Sequence, residues 1–325
     1  MTKAIRIHET GGPEVLRWED VEVGVPGPGQ VRLTHAAVGL NYIDTYQRSG
    51  LYPLPAMPAT LGMEGAGVVE ELGEGVSGLA TGDRVAYATP PPGSYSEARL
   101  IAADRVVKLP DAIDDRTAAA MMLQGLTAQY LIRQTHRVAA GETVLFHAAA
   151  GGVGLIACQW LKHLGATVIG TVGSAEKAAL ALAHGCTHAI NYRDEDFVER
   201  VKELTGGAGV PVVYDSVGKD TFEGSLTCLG PLGLMVSFGS SSGPVPPFEL
   251  GRLGALGSLF ITRPTLMTYA AKRADLETMS QELFEVVLSG AVKIVINQTY
   301  PLSETAQAHR DLEARKTTGS TVLLP

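Results

Sequence analysis

Apolar and polar positions follow different patterns in the first third of the chain and in the remainder. Up to about residue 113, short runs of strand character are separated by turns rich in glycine and proline, such as Pro26-Gly27-Pro28-Gly29. Strands are predicted at residues 4–8, 30–38, 67–72 and 84–88, and a short helix at residues 41–48. The first third is therefore predicted to be rich in β-structure.

From Asp114 onward, apolar runs of strand length alternate with helical stretches. Strands that alternate with helices form right-handed crossovers and a parallel sheet, and strands this apolar are buried on both faces. This part of the chain predicts an α/β domain with a doubly wound parallel sheet. After a helix at residues 117–135, the predicted strands are 143–147, 167–172, 188–192, 210–215 and 234–238, and the predicted helices are 152–164, 175–184, 194–204 and 219–229.

The end of the chain follows a third pattern. Residues 264–288 are predicted to be helical, and residues 295–300 and 320–324 to be strands. Ser303 is a good N-cap for a helix that continues to Lys316 and stops before Gly319. We therefore expect a β-rich domain at residues 1–125, a doubly wound domain at 126–262, and a C-terminal segment, 263–325, that returns to the first domain.

Length, charge and cysteine content limit the classes of function that the chain is expected to have. A chain of 325 residues suits about two domains. Its net charge of −8 argues against a broad surface for nucleic acid or an anionic membrane, because both need clustered positive charge. The three cysteines are widely spaced, so neither a metal knuckle nor a disulfide scaffold is predicted, which fits a reducing compartment. With no signal-peptide core and no transmembrane run, we expect a cytoplasmic protein.

Residues 148–154, Ala-Ala-Ala-Gly-Gly-Val-Gly, follow a predicted strand and open a predicted helix. In this context a glycine-rich run predicts a dinucleotide-binding turn. Gly151 or Gly152 lets backbone N–H groups approach a pyrophosphate at the positive end of the helix dipole. Gly154 lets the helix pack closely on the strand, and Ala149 stands at the usual first glycine. The alternative is a glycine-rich turn without a ligand.

The end of the next predicted strand indicates which nicotinamide cofactor binds. An NAD site usually places an acid there, which would repel the 2′-phosphate of NADPH. This strand ends at Gly173 and Ser174, with no acid before Glu176. Lys177 and Tyr192 provide a cation and a hydroxyl for a phosphate, although Lys177 on its own could be a solvated helix residue. We therefore predict NADPH.

Two further segments, residues 61–67 (Leu-Gly-Met-Glu-Gly-Ala-Gly) and 82–85 (Gly-Asp-Arg-Val), resemble the medium-chain dehydrogenase/reductase superfamily. Its zinc enzymes place a histidine directly before the glutamate and a cysteine in the earlier helical segment. Here Met63 precedes Glu64, and residues 39–44 contain no cysteine. Zinc needs such ligands at defined spacing, so no metal is predicted, and Glu64 is expected to be structural rather than catalytic.

Within that superfamily, the chain resembles the zinc-free quinone oxidoreductases, the zeta-crystallin-like group. The resemblance is carried by residues 141–162 and by residues 41–46, 48–53, 214–218 and 236–239, and it extends from residue 1 to 325. It implies a GroES-like catalytic domain, a Rossmann domain, a cleft between them and a homodimer.

The resemblance also implies site residues. Catalytic roles, orienting the acceptor oxygen or supplying a proton, fall to Asn41, Tyr46 and Tyr52, although either tyrosine could merely pack. His147 and Asp44 are expected to be structural. The implied cofactor contacts are Asn41, Tyr46, Gln124 and Thr127 near the nicotinamide; Gly151, Gly152 and Val153 at the pyrophosphate; Gly173, Lys177 and Tyr192 at the 2′-phosphate; Phe238, Gly239 and Ser240 lining the nicotinamide pocket; and Arg263 and Arg315 from the C-terminal segment.

The predicted function is metal-free, NADPH-dependent reduction of a quinone, whose carbonyl is electrophilic without a Lewis acid. Three alternatives stay open. One is an NADPH-dependent alkenal or enone reductase on the same zinc-free fold. Another is binding of A/U-rich RNA, which the net charge disfavours as the main role. The third is a structural, crystallin-like role with NADPH bound only for stability.

Overall fold

The computed structural model describes residues 2–325 and divides into two compact units. The first unit comprises the chain up to Leu126 together with Ala270–Phe284 and Ile294–Pro325, and the second comprises Thr127–Tyr269 and Glu285–Lys293. Residues 263–269 and 285–293 of the predicted C-terminal segment thus lie in the second unit, and the rest of that segment lies in the first.

The first unit is built on two sheets. The smaller sheet has the order β2-β1-β4, and the larger has the order β15-β16-β3-β5-β6-β8, with β7 pairing another part of β3. All their ladders are antiparallel except that of β15 with β16. The strands are β1 (Thr2–Ile7), β2 (Arg17–Val21), β3 (Gln30–Leu40), β4 (Ala59–Thr60), β5 (Glu64–Leu72), β6 (Arg84–Tyr87), β7 (Ala98–Ala102), β8 (Val107–Lys108), β15 (Ile296–Pro301) and β16 (Ser320–Leu324).

Two of the helices in this unit show how local sequence sets their ends. Helix α1 (Tyr42–Ser49) begins after Asn41, which forms a capping box with Asp44, and ends at Gly50 in the left-handed conformation. Helix α10 (Thr305–Glu313) does not begin at the predicted N-cap. Residues 302–304 form a 3-10 turn instead, and Glu304 precedes the helix. The prediction of Ser303 as N-cap was wrong because the buried Leu302 holds this turn against the core.

Apolar side chains of the first unit form two clusters. One gathers Ile5, Leu40 and Leu61 with Leu302 and Leu323 from the end of the chain. The other lies among β3, β5, β6 and β7 and includes Leu33, Tyr87 and Ile101. Because the first cluster needs residues from both ends of the sequence, the C-terminal strand and α10 complete this unit rather than form a separate one.

The second unit contains one six-stranded parallel sheet with the order β11-β10-β9-β12-β13-β14. This is the doubly wound order, in which the chain direction across the sheet reverses between β9 and β12. The predicted α/β class, a β-rich domain with a doubly wound domain, is confirmed. The strands are β9 (Thr143–Phe146), β10 (Thr167–Val172), β11 (His188–Asn191), β12 (Val210–Asp215), β13 (Leu229–Ser237) and β14 (Phe260–Thr262).

Helices cover the sheet between these strands, and side-chain caps fix where two of them begin. Ser174 accepts from the backbone N–H of Lys177, and Asp196 accepts from the N–H groups of Val198 and Glu199. The core gathers Leu145, Ile169 and other apolar side chains. The remaining helices of the chain are α2 (Asp115–Tyr130), continued by a π-helical turn at Leu131–Thr135, α3 (Gly152–His163), α4 (Ala175–Ala183), α5 (Phe197–Leu204), α6 (Phe222–Thr227), α7 (Gly251–Ala255), α8 (Leu266–Tyr269) and α9 (Arg273–Leu288).

Candidate functional site

The glycine-rich turn lies at the point where β9 passes into α3. Ala148 adopts a positive φ of 54°, and Gly151 is extended and stands as the N-cap of α3. Within residues 2–325, no side chain caps this helix, which leaves its first backbone N–H groups available to an anion. A Cβ at Gly154 would lie 2.4 Å from the carbonyl oxygen of Ala148, which explains the glycine there. The turn therefore fits a pyrophosphate.

Three residues predicted to surround a 2′-phosphate come together beside this turn. Gly173 follows β10 and Tyr192 follows β11, and these strands are paired in parallel. A Cβ at Gly173 would lie 2.5 Å from the Tyr192 hydroxyl oxygen, so only glycine lets that hydroxyl lie where it does. Lys177 is in the first turn of α4, where its backbone N–H donates to Ser174 Oγ at 3.3 Å. The Tyr192 hydroxyl and the first turn of α4, which carries Lys177, thus lie at the carboxyl ends of β10 and β11.

Replacing Lys177 with alanine is expected to weaken NADPH binding far more than NADH binding, because only NADPH carries the 2′-phosphate. A hydrogen bond to a charged group is worth roughly 1.5–3 kcal/mol, so the NADPH dissociation constant should rise about 10- to 100-fold. Fluorescence titration with both nucleotides measures this. The matched control is Lys162→Ala at the opposite end of α3, and equal losses for NADH and NADPH would refute the role.

The residues predicted to line the nicotinamide form a second cluster in this unit. Arg263 donates from Nη1 to the carbonyl oxygens of Ser237 at 3.0 Å and Gly239 at 2.9 Å, and from Nη2 to Ser240 Oγ at 3.3 Å. The Phe238 ring packs against Phe146 with the ring centres 5.8 Å apart. Arg263 therefore braces the turn after β13. Arg315 belongs to the first unit, where it follows α10 with a φ of 58°.

Asn41 and Gln124, both buried, are joined in the first unit by a directional chain of hydrogen bonds. Ser320 Oγ lies 2.7 Å from Gln124 Oε1 and 2.9 Å from the Ala120 carbonyl oxygen, Gln124 Nε2 donates to Asn41 Oδ1 at 3.1 Å, and Asn41 Nδ2 donates to Glu64 Oε2 at 2.6 Å. Glu64 Oε1 also accepts from the backbone N–H of Leu123 inside α2 at 2.7 Å. The amide of Asn41 is therefore hydrogen-bonded through both its oxygen and its nitrogen.

Glu64 orients Asn41 and braces α2, which agrees with the structural role expected for it. It is completely buried, and burial raises the pKa of its carboxyl to about 8, against the hydrogen bonds from Asn41 and Leu123. Neither this link nor the contact of Ser320 with Gln124 is predicted by the sequence. The Glu-Gly-Ala-Gly stretch at residues 64–67 was the available signal for Glu64.

Tyr46 and Tyr52, the two candidate hydroxyl donors, are neighbours. Their rings meet edge to face with the centres 5.2 Å apart, and the Tyr52 backbone N–H donates to the Tyr46 carbonyl at 3.0 Å. Tyr42 also packs against Tyr46, with the ring centres 6.1 Å apart. Thr127 is buried one turn beyond Gln124 on α2. Tyr46 and Tyr52 are half-buried and pack on each other, so their rings are held in place. A hydroxyl that orients a substrate requires such a fixed ring.

A second buried network fixes helix α1. Arg48 Nη1 donates to His309 Nδ1 at 2.9 Å, so the neutral ring carries its proton on Nε2 and donates to Tyr95 Oη at 3.1 Å. The Tyr95 hydroxyl then donates to Asp44 Oδ2 at 2.8 Å, and the same oxygen accepts from the Asn41 backbone N–H at 2.8 Å. Asp44, expected to be structural, thus ties the start of α1 to α10.

Burial is the main cause of the pKa shifts of Asp44 and His309 in this network. It raises the pKa of the Asp44 carboxyl to about 7, although hydrogen bonds from Asn41 and Tyr95 oppose the rise. It lowers the pKa of His309 to about 3, and the positive charge of Arg48 adds to that effect. His309 is therefore neutral at pH 7, and the donation from Arg48 fixes its tautomer. The chain of donors has one direction and acts as a brace for α1.

The first unit presents a thioether where zinc alcohol dehydrogenases have a histidine. Met63 Sδ accepts from Gln47 Nε2 at 3.5 Å. Across residues 2–325, no three His, Cys, Asp or Glu side chains are grouped closely enough to hold a metal ion.

Over the same residues, none of the helices combines the length and the apolar character needed to cross a bilayer.

Comparison with known proteins places this geometry among oxidoreductases. The family described as "Alcohol dehydrogenase GroES-like domain" matches residues 27–111, and "Zinc-binding dehydrogenase" matches residues 152–285. The chain is 56% identical to the quinone oxidoreductase of Pseudomonas aeruginosa over 325 residues, 100% of both chains. It is 49% identical to the 2-haloacrylate reductase of Burkholderia sp, over 100% of this chain and 99% of that one. The structure of Escherichia coli quinone oxidoreductase complexed with NADPH matches with a TM-score of 0.98 and 51% identity, over 99% and 100% of the two chains.

Proposed function

Because the chain belongs to the zinc-free quinone oxidoreductases of the medium-chain dehydrogenase/reductase superfamily, we propose that it reduces quinones with NADPH. The observation that carries the proposal is the phosphate cluster of the second unit. An uncapped helix N-terminus and the group of Gly173, Lys177 and Tyr192 match both the pyrophosphate and the 2′-phosphate of NADPH.

The proposed cofactor contacts follow the two clusters of the second unit. Backbone N–H groups of Gly152 and Val153 would hold the pyrophosphate, with Gly151 leaving room for its approach. Lys177 and Tyr192 would bind the 2′-phosphate. The turn braced by Arg263 would line the nicotinamide. The further contacts proposed are Asn41, Tyr46, Gln124, Thr127, Gly173, Phe238, Gly239, Ser240 and Arg315.

The residues proposed for catalysis act by orientation and hydrogen bonding. The chemistry that NADPH supplies is transfer of reducing equivalents from its nicotinamide. A quinone carbonyl is electrophilic without a Lewis acid, so the protein has to hold the acceptor and donate hydrogen bonds to its oxygens. Asn41 is fixed by Glu64, and the hydroxyls of Tyr46 and Tyr52 sit on a packed pair. We assign these three residues to that task.

The direct test is stopped-flow loss of NADPH absorbance with 1,4-benzoquinone and 9,10-phenanthrenequinone as acceptors. We expect quinone-dependent oxidation well above background, faster with NADPH than with NADH. A rate equal to the background for both quinones would overturn the proposal. Semiquinone detection by electron paramagnetic resonance in the same mixtures separates one-electron from two-electron transfer.

A second candidate function is reduction of an activated alkene. It is favoured by the similarity to 2-haloacrylate reductase, which covers the full chain at 49% identity. The same cofactor geometry serves both reactions, because each needs an electron-poor acceptor held against the nicotinamide. A good rate with 2-alkenals and none with quinones in the stopped-flow assay would decide for this alternative.

We also propose that the protein is a homodimer. Strand β14 forms the free edge of the six-stranded sheet, and Phe260 on it is 59% exposed. An apolar edge strand is a template for pairing with another chain, and closed pairing with a second copy removes that liability. Light scattering should give twice the chain mass of 34.1 kDa. A monomer at micromolar concentration would contradict this.

We propose a cytoplasmic location. The chain has three widely spaced cysteines and no disulfide scaffold pattern, which suits a reducing compartment. Fractionation of the source cells checks this, and recovery of the protein from an oxidising compartment would contradict it.

A further inference from the structure

A buried carboxylate in the second unit has no assigned task. Asp215 is the last residue of β12 and is completely buried. Its Oδ1 accepts from the backbone N–H groups of Val217 at 2.8 Å and Gly218 at 3.0 Å. Its Oδ2 accepts from Thr221 Oγ1 at 2.7 Å and Ser225 Oγ at 2.8 Å. Four neutral donors therefore occupy the four acceptor positions of one carboxylate, which fixes its orientation.

A chain of side chains connects this carboxylate to the phosphate turn. Ser225 donates its single hydroxyl proton to Asp215, so its oxygen accepts from His147 Nε2 at 2.9 Å. Burial lowers the pKa of His147 and keeps the ring neutral, although the nearby Asp215 opposes this. His147 Nδ1 therefore accepts from Thr171 Oγ1 at 2.8 Å. The carbonyl of Thr171 accepts from the N–H of Ala149 in the turn at 3.1 Å.

On its other side, Asp215 shapes the loop of residues 216–218. That loop supports the turn that follows β13. The N–H of Ser241 donates to the Ser216 carbonyl at 3.1 Å, and the N–H of Ser242 donates to the Val217 carbonyl at 2.9 Å. The N–H of Phe238 donates to the carbonyl of Asp215 itself at 2.8 Å. Residues 238–242 thus rest on a loop whose shape the carboxylate sets.

We propose that Asp215 is a positioning residue for the nicotinamide half of the cofactor. Its carboxylate holds residues 216–218, and through them it pre-forms the turn containing Phe238, Gly239 and Ser240. Binding to a pre-formed turn avoids the entropy cost of ordering it in the complex. The inference rests on the proposed function, because it takes NADPH as the ligand of this turn. One test measures nucleotide binding and another measures the loop without cofactor. Failure of this inference can therefore be told apart from failure of the proposed function.

The test compares two ligands and two substitutions. Asp215→Ala removes the acceptor for Val217 and Gly218 and should weaken NADPH binding at least about tenfold. Adenosine 2′,5′-bisphosphate lacks the nicotinamide half, so its dissociation constant should stay within about twofold. Asp215→Asn should restore most of the NADPH affinity. Its amide oxygen can still accept from the two N–H groups, while its NH₂ donates to the hydroxyls of Thr221 and Ser225.

The matched control is Thr227→Ala on the same helix as Ser225, where the exposed hydroxyl donates to the Glu223 carbonyl at 3.1 Å. Its NADPH affinity should stay near that of the unmodified protein. If Asp215→Ala does not fold, Ser242→Ala loosens the same loop contact, because Ser242 Oγ donates to the Val217 carbonyl at 2.8 Å. It should weaken NADPH selectively and by less.

A purely structural role would lower the melting temperature of Asp215→Ala and change both ligands equally, which would overturn the inference. Hydrogen exchange at Val217 and Gly218 provides a readout without cofactor. Their exchange should accelerate in Asp215→Ala, and unchanged protection would count against the proposal. Absence of quinone turnover in the unmodified protein would refute the proposed function while leaving the binding and exchange results to decide on Asp215.

Discussion

Gly154→Ala is expected to weaken NADPH binding by at least about 100-fold. The new Cβ would lie 2.4 Å from the Ala148 carbonyl oxygen and 2.7 Å from the carbonyl carbon of Ala149. Both are backbone atoms, and Ala148 is already held at a φ of 54°. Helix α3 must therefore move away from β9, and the N–H groups of Gly152 and Val153 move with it.

Fluorescence titration with NADPH measures this loss, and circular dichroism shows whether the second unit still folds. The matched control is Gly251→Ala in α7, where a Cβ would meet no atom within 4 Å and no change in affinity is expected. An unaltered NADPH dissociation constant in a folded Gly154→Ala protein would show that the spacing of α3 and β9 does not set the site. Complete loss of folding would show that the close packing of α3 on β9 at Gly154 is needed for the second unit to fold.

The parts of the fold that depend on local pattern could be predicted from the sequence. Strands β10, β12 and β16 have the predicted bounds, because buried parallel or central strands are continuous apolar runs bounded by turns. Other elements depend on distant contacts. Strand β14 was missed because three residues give no usable period, and it exists by pairing with β13. The helix predicted at 264–288 is two helices, α8 and α9.

The residues of the candidate site also differ in whether the sequence alone could indicate them. Gly151, Gly173 and Lys177 lie within short, recognisable stretches, so the sequence could indicate a phosphate site. The partners that orient Asn41 are far away along the chain: Glu64 is 23 residues distant and Gln124 is 83. Ser320 is 196 residues from Gln124. A single sequence gives no sign of such pairs, because only tertiary packing brings them together.

Two buried carboxyls, Asp44 and Glu64, should make stability fall as the pH rises from 6.5 to 8. Burial raises the pKa of Asp44 from 3.8 to about 7 and that of Glu64 from 4.5 to about 8. A carboxyl whose pKa is raised by folding stabilises the protein fully below its unfolded value. That contribution is lost as the pH rises through the folded value. At about 1.4 kcal/mol per pH unit for each fully titrating group, the loss in free energy of unfolding is on the order of 2 kcal/mol.

The chosen pH window separates this effect from the buried histidines. Burial lowers the pKa of His35 and His309 from 6.5 to about 3. A histidine with a lowered pKa contributes its stabilisation above the unfolded value, and that contribution is lost only as the pH falls below 6.5. Between pH 6.5 and 8 each buried histidine, His147 included, adds at most about 0.4 kcal/mol in the opposite direction, so the two carboxyls still dominate the change.

Urea unfolding at several pH values in this window measures the slope directly. In the double variant Asp44→Asn, Glu64→Gln, the fall should disappear and leave only the small rise from the histidines, even if the overall stability drops, because the amides do not titrate. Glu203→Gln is the matched control, since that side chain is 65% exposed and should leave the slope unchanged. A stability that stays level or increases from pH 6.5 to 8 would mean that both carboxyls are already ionised in the folded protein. Asn41 would then donate to a charged Glu64 throughout, and its orientation would be independent of pH.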